Sequence, residues 1–96
     1  MSIKVFVELR VKEEKLSNFL SFCSNLSDTR RRNGNEGVAV CSDQDSPTTY
    51  VLIEQWASRE HYAEYNEWRA ERGDLDNLAE LLQEPPQRRF FEHVGI

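Results

Sequence analysis

Cysteine is scarce in the 96-residue chain: Cys23 and Cys41 are the only two, and they are far apart in sequence. Without a CxxC pair there is no zinc or iron–sulfur framework to read, so reduced thiols and a cytoplasmic location are the expectation. No segment approaches the roughly 20 apolar residues that span a bilayer. The opening MSIKVFVELRVKEE mixes charged with apolar residues, which argues against a secretory leader. Basic charge is in deficit, 12 Lys and Arg against 17 Asp and Glu, a net charge of −5. A surface of that sign argues against a general binder of nucleic acid or of anionic membrane. The run Arg30-Arg31-Arg32, followed by Asn33-Gly34-Asn35, reads as a solvated helix end favoured by the helix dipole. Internal repeats, linkers and low-complexity segments are also missing.

What is present is globular: 39% hydrophobic and 30% charged residues. The length fits one domain, residues 1–96, whose core is modest. Self-association is then a natural way to cover more apolar surface.

Residues Ile3 to Val11 alternate, with Ile3, Val5, Val7, Leu9 and Val11 on one face, so the period of two predicts a strand. From Glu13 to about Arg31 the spacing of Leu16, Phe19, Leu20, Cys23 and Leu26 predicts one amphipathic helix, with Cys23 as a small buried hydrophobe. Asn33-Gly34-Asn35 ends it, Gly34 being suited to a left-handed cap. Gly37 to Ser42 and Thr48 to Trp56 read as a hairpin around the turn-rich DQDSP. Ser58 fits an N-cap for a helix from about Arg59 to Arg72. Gly73-Asp74 interrupts it, Leu75, Leu78, Ala79 and Leu82 continue a helical stripe, and Pro85-Pro86 stops it. Gln87 to Val94 is a last strand.

The order is strand, helix, strand, strand, helix, strand, the ferredoxin-like βαββαβ pattern of an α+β fold. Its antiparallel sheet carries helices on one face only. The other face, expected to present Phe6, Leu52 and Trp56, needs a cover. A second copy of the sheet supplies one, which predicts a homodimer.

The stretch EQWASREHYAEYNEWRAERG, Glu54 to Gly73, carries the candidate chemistry. At 100° per residue His61, Tyr65, Trp68 and Arg72 share one stripe, and Tyr62, Tyr65, Asn66 and Arg69 share an overlapping one. The run Glu54-x-Trp56-x-Ser58-x-Glu60, the aromatic helix after it and the closing FFEHV together resemble the antibiotic biosynthesis monooxygenase (ABM) domain over about Ile3 to Val94.

The resemblance implies a dimeric α+β barrel. It also implies a family that includes cofactor-independent monooxygenases of polycyclic aromatics, quinol oxidases and haem-degrading enzymes. Many relatives carry a histidine nine residues after the strand tryptophan, and here that position is Tyr65. The haem-degrading branch needs a first-strand asparagine, absent from IKVFVELRV, and a ligating histidine ten residues further on, where Leu75 stands.

The expectation is therefore an enzyme that uses O2, a small aromatic molecule and no cofactor or metal. Such an enzyme needs an apolar slot, a proton acceptor and an oxyanion donor. His61 could take a proton, Asn66 could donate to a substrate oxygen, Arg69 could stabilise an anion, and Tyr65 would complete the catalytic set. Trp56, Tyr62 and Trp68 would form the substrate-binding walls. Each has a plainer alternative. Trp56 is then core or dimer packing, Tyr62 and Tyr65 are core residues with wet hydroxyls, His61 is exposed, and Arg69 pairs with Glu64 or another surface acid. Glu54 would partner Arg10 or Arg89 across the sheet. A non-catalytic, small-ligand-binding or regulatory dimeric barrel is the alternative function.

Overall fold

The structure, a computed structural model, describes residues 2–24 and 26–96. Strands β1 (Ile3–Arg10), β2 (Asn35–Asp43), β3 (Ser46–Trp56) and β4 (Gln87–Glu92) form one sheet in the order β2-β3-β1-β4, antiparallel throughout. Helices α1 (Leu16–Cys23), α2 (Ser27–Arg30), α3 (Arg59–Glu71) and α4 (Asp74–Leu81) complete the chain, with a 3-10 turn at Glu13–Lys15 before α1. This is the ferredoxin-like α+β arrangement expected from the element order. Among the described residues no helix is long and apolar enough to cross a membrane.

The alternation of β1 decides the layers. Val5, Val7 and Leu9 are buried, and so are Val11, Phe19, Trp56, Tyr62, Leu78 and Leu82, which make the core between sheet and helices. Burying a side chain of this size is worth about 1.5–3 kcal/mol, so these residues hold the helices onto the sheet.

Register corrects the expectation for the other face. Ile3 pairs with Trp56 and Val7 with Leu52, so Leu52 and Trp56 point to the helices with the buried residues of β1. The uncovered face instead carries Phe6, Ile53, Val51 and Phe91. There Phe6 and Phe91 meet edge to face at 5.1 Å, and Phe91 remains exposed.

The single helix expected from Glu13 to Arg31 is broken. Ser24 follows α1 and its hydroxyl donates to the Ser21 carbonyl at 2.7 Å. Serine competes for backbone groups in this way and favours helix ends over helix interiors. Asn25, which a continuous helix would include, lies outside the described residues, as does Met1. Leu20, placed in the apolar stripe, is 52% exposed, whereas Phe19 is fully buried. The final strand ends at Glu92, two residues short of Val94, and β2 and β3 each extend beyond the expected hairpin.

Gly34 closes the loop before β2 with φ +86°. A Cβ there would fall on the His61 ring. Two separate constraints therefore require glycine: a left-handed backbone and the close approach of α3. Gly34→Ala should lose roughly 1–3 kcal/mol of stability, the usual cost of a strained backbone position, read by urea denaturation. The double variant with His61→Ala should recover the steric part and leave the backbone part.

Candidate functional site

Helix α3 begins at Ser58, whose hydroxyl accepts the His61 backbone N–H at 3.2 Å and lies 2.6 Å from His61 Nδ1. That cap fixes the phase of everything after it. Tyr65 sits on the border between two flanks of the helix. One flank carries Tyr62, Asn66 and Arg69 toward the sheet. The other carries His61 against Gly34, and Trp68 beneath the Arg32 guanidinium, 4.2 Å from the ring centroid.

The first flank opens onto a cavity of about 210 Å³ between the helices and the sheet. Its apolar wall includes Val7, Leu52, Leu75 and Leu78, and its polar groups are Glu54, Tyr62, Tyr65, Asn66, Arg69, Asp74 and Arg88. Four of the expected site residues are thus brought together: Tyr62, Tyr65, Asn66 and Arg69. Three are not.

His61 lies on the wrong flank, packed on Gly34. Trp68 stacks under Arg32, Arg69 and Arg72 outside the cavity wall. Trp56 is fully buried behind Tyr65 and Tyr62, with ring centroids at 4.8 and 6.0 Å, and does not line the cavity.

Arg69 anchors the polar end. Its Nε donates to the Tyr65 oxygen at 3.0 Å, one terminal nitrogen to Asp74 at 2.8 Å and the other to the Thr29 hydroxyl at 2.9 Å. The expected surface pairing with Glu64 is replaced by this part-buried cluster. Burial opposes the Arg69 charge, but the bonds to Asp74 and Tyr65 outweigh it and raise its pKa. The Thr29 and Tyr65 oxygens are 3.0 Å apart, and either can be the donor. When Thr29 donates, the Tyr65 oxygen accepts twice and its own proton is left for the cavity.

Glu54 was expected to partner Arg10 or Arg89. Both lie on the opposite face of the sheet, where Arg10 meets Glu8 and Glu84 and Arg89 covers Phe91. Glu54 is instead 4% exposed and accepts the Trp56 indole N–H at 3.0 Å. Burial pushes its pKa up, against the pull of that hydrogen bond and of the Arg88 and Arg69 charges. Arg88 donates from Nε to the Tyr62 hydroxyl at 2.8 Å. Tyr62 is likewise shifted upward, chiefly by burial.

Sequence reading missed Arg88, Thr29 and Asp74. The even-numbered phase of β4, which puts Arg88 beside Phe90 on the helix side, was the one available signal. Among the described residues no three His, Cys, Asp or Glu side chains converge as a metal site. Leu75 in the cavity wall offers an alkyl group, not an iron ligand, so haem does not suit this set of donors.

A ferredoxin-like sheet backs a small, mostly apolar cavity with a few convergent polar groups, the form that small-molecule sites commonly take. The antibiotic biosynthesis monooxygenase sequence profile matches residues 2–70, and the chain belongs to that family. Solved structures agree on the fold. A conserved protein from Methanosarcina mazei Go1 superposes with a TM-score of 0.87 at 19% identity, over 96% of this chain and 92% of that one.

A Nitrosomonas europaea protein provisionally assigned as an antibiotic biosynthesis monooxygenase gives 0.87 at 23% identity, over 98% and 91%. A similarly assigned protein from Deinococcus radiodurans gives 0.84 at 16% identity, over 100% and 95%. At these identities the likeness shows the fold alone. No protein of curated function matches the chain in sequence.

The raised pKa of Glu54 carries a stability consequence. A group whose folded pKa lies above its unfolded value contributes its stability at low pH and loses it as pH rises through the folded pKa. Glu54→Gln keeps an acceptor for Trp56 and removes the charge. Its melting temperature relative to the native chain should therefore be higher at pH 8 than at pH 4, measured by thermal denaturation across that range.

Proposed function

We propose that the chain is a cofactor-independent monooxygenase that oxidises an electron-rich aromatic small molecule, quinol-like or anthrone-like, with O2. The observation that carries this reading is the convergence of Tyr65, Asn66, Arg69 and Glu54 on one largely apolar cavity. An apolar slot holds the ring. Asn66 makes no side-chain hydrogen bond to the described residues and is left to meet a substrate oxygen. Tyr65 and the Arg69 cluster stabilise the anion that must form before O2 can react.

Cavity size narrows the substrate. An apolar cavity of roughly 150 Å³ holds benzene, so about 210 Å³ encloses one substituted ring or two fused rings. A three-ring anthrone would extend through the mouth.

The uncovered sheet face, with Phe6, Val51, Ile53 and Phe91, supports the homodimer as the working unit. Light scattering on the purified chain should give twice the monomer mass, and Phe6→Asp, which puts a charge on the central strand β1 of that face, should shift it toward monomer.

The second reading, a barrel that binds a ligand without turning it over, draws on the saturation of Arg69: each of its three donor groups already has a protein partner. Aerobic incubation with 1-naphthol, hydroquinones and anthrones separates the two. Without added metal or flavin, the first reading expects O2 uptake matched one to one by quinone. Tyr65→Phe and Asn66→Ala should each lower kcat/KM by about 10–1000-fold, the range lost with one stabilising donor. Binding without uptake across the panel would favour the second reading.

A further inference from the structure

We propose that Glu54 is the catalytic base of this site, and that its second carboxylate oxygen takes the proton of a substrate phenol; the assignment rests on the small-aromatic reading above. The plain alternative is that Glu54 exists to receive the Trp56 indole N–H. A neutral glutamine accepts that hydrogen bond equally well and avoids the cost of burying charge. What distinguishes the carboxylate is its other oxygen.

Glu54 has one hydrogen bond, to Trp56, and no cation within ion-pair distance among the described residues. Yet the only fully enclosed side-chain polar atom without a partner among those residues is Asn35 Nδ2. The second oxygen of Glu54 is therefore not sealed in protein, and the space Glu54 meets on the helix side is the cavity it lines. A nearly buried carboxylate, held by one oxygen and free at the other, is aimed at the ligand volume.

The surroundings suit a base. Leu52 and Val7 lie beside Glu54 in the wall, and an apolar surround raises the affinity of a carboxylate for a proton. Arg69 from α3 and Arg88 from β4 bring positive charge from two sides without pairing with Glu54 directly. Arg88 spends its Nε on Tyr62, and its terminal nitrogens have no protein partner among the described residues. They can receive the anion that Glu54 creates. His61, the histidine of this helix, cannot serve, because its ring is turned onto Gly34.

With 1-naphthol, the O–H bond breaks, the proton moves to Glu54, and the electron pair stays on the substrate. The naphtholate gives one electron to O2, and the resulting radical and superoxide join in a C–O bond at the ring carbon para to the oxygen. Glu54 returns its proton to the peroxide anion. That carbon then loses its remaining hydrogen as a proton while the O–O bond breaks. Water leaves, and naphthol and O2 have become 1,4-naphthoquinone and H2O.

The test separates proton transfer from oxygenation. Under argon, 1-naphthol is titrated with the full-length protein from pH 5 to 9, and its ionisation is followed by the red-shifted naphtholate absorption. The groups facing Glu54 are Trp56 on its own strand, Tyr62, Tyr65 and Arg69 on α3, Arg88 on β4, Asp74 on α4 and Cys23 on α1. Only Glu54 is substituted.

The native protein should ionise bound naphthol well below the pH at which it ionises in water. Glu54→Gln should bind it in neutral form, and Glu54→Asp should restore part of the ionisation. In air, Glu54→Gln should lower kcat by about 100–10,000-fold, with a melting temperature at or above that of the native chain at pH 8. A Glu54→Gln protein that ionises naphthol like the native one would overturn the assignment. So would a native protein whose naphthol stays neutral. Ionisation by Glu54 without O2 uptake would uphold the base and defeat the monooxygenase reading.

Discussion

A carboxylate taken out of water must be given a donor, and Glu54 is given the indole of Trp56 two residues along the same strand. The bond ties two requirements together. It holds Trp56 in one rotamer at the centre of the core, where Tyr62 and Tyr65 pack on it. It also leaves the carboxylate half satisfied, with its remaining oxygen toward the cavity. The spacing of two is what strand geometry demands, since only alternate residues share a face. Moving either residue by one position would send it to the uncovered side of the sheet.

Helix α3 is built around the same joint. Its phase is set by the Ser58 cap, and that phase divides the helix at Tyr65. One flank serves the cavity. The other closes the fold through His61 on Gly34 and Trp68 under three guanidiniums. A single residue thus belongs to both the packing and the site, and its hydroxyl lies in a cluster with Arg69 and Thr29. This explains why the aromatic residues of the stretch do not form one cluster. They face different neighbours and do different things.

The sequence made the architecture legible because the signals were local. Strict alternation in β1, the Ser58 cap and the Gly73 interruption each constrain only their neighbours in the chain, and each appears where expected; the second helical stripe does not run to the double proline but ends at Leu81, because Leu82 turns extended and bridges Val11. The site was legible in part for the same reason. Tyr62, Tyr65, Asn66 and Arg69 converge because they share one helical stripe. His61 and Trp68 share the other, and a helical wheel alone cannot say which flank of Tyr65 the sheet occupies.

Residues that reach the site through register were not legible. Whether Glu54 and Trp56 face the helices depends on Ile3 meeting Trp56 across β1 and β3. Arg88 depends on a further pairing with Val7. Thr29 belongs to α2, a separate short helix that the sequence pattern merged with α1 into one.

The polar groups of the cavity fall into two kinds, and the difference bears on what a site in this fold requires. Arg69 and Asp74 are saturated by each other and by Thr29, which stands outside the cavity wall. They are fixed before any ligand arrives and need no reorganisation, which is how a protein stabilises charge at low cost. Glu54, Asn66 and the terminal nitrogens of Arg88 retain unused capacity. A reaction that moves a proton needs both kinds: a rigid field that favours the anion, and a group free to exchange a hydrogen bond for a bond to hydrogen. Tyr65 lies between them, and the direction of its single proton, toward Thr29 or toward the cavity, couples the rigid half of the site to the reactive half.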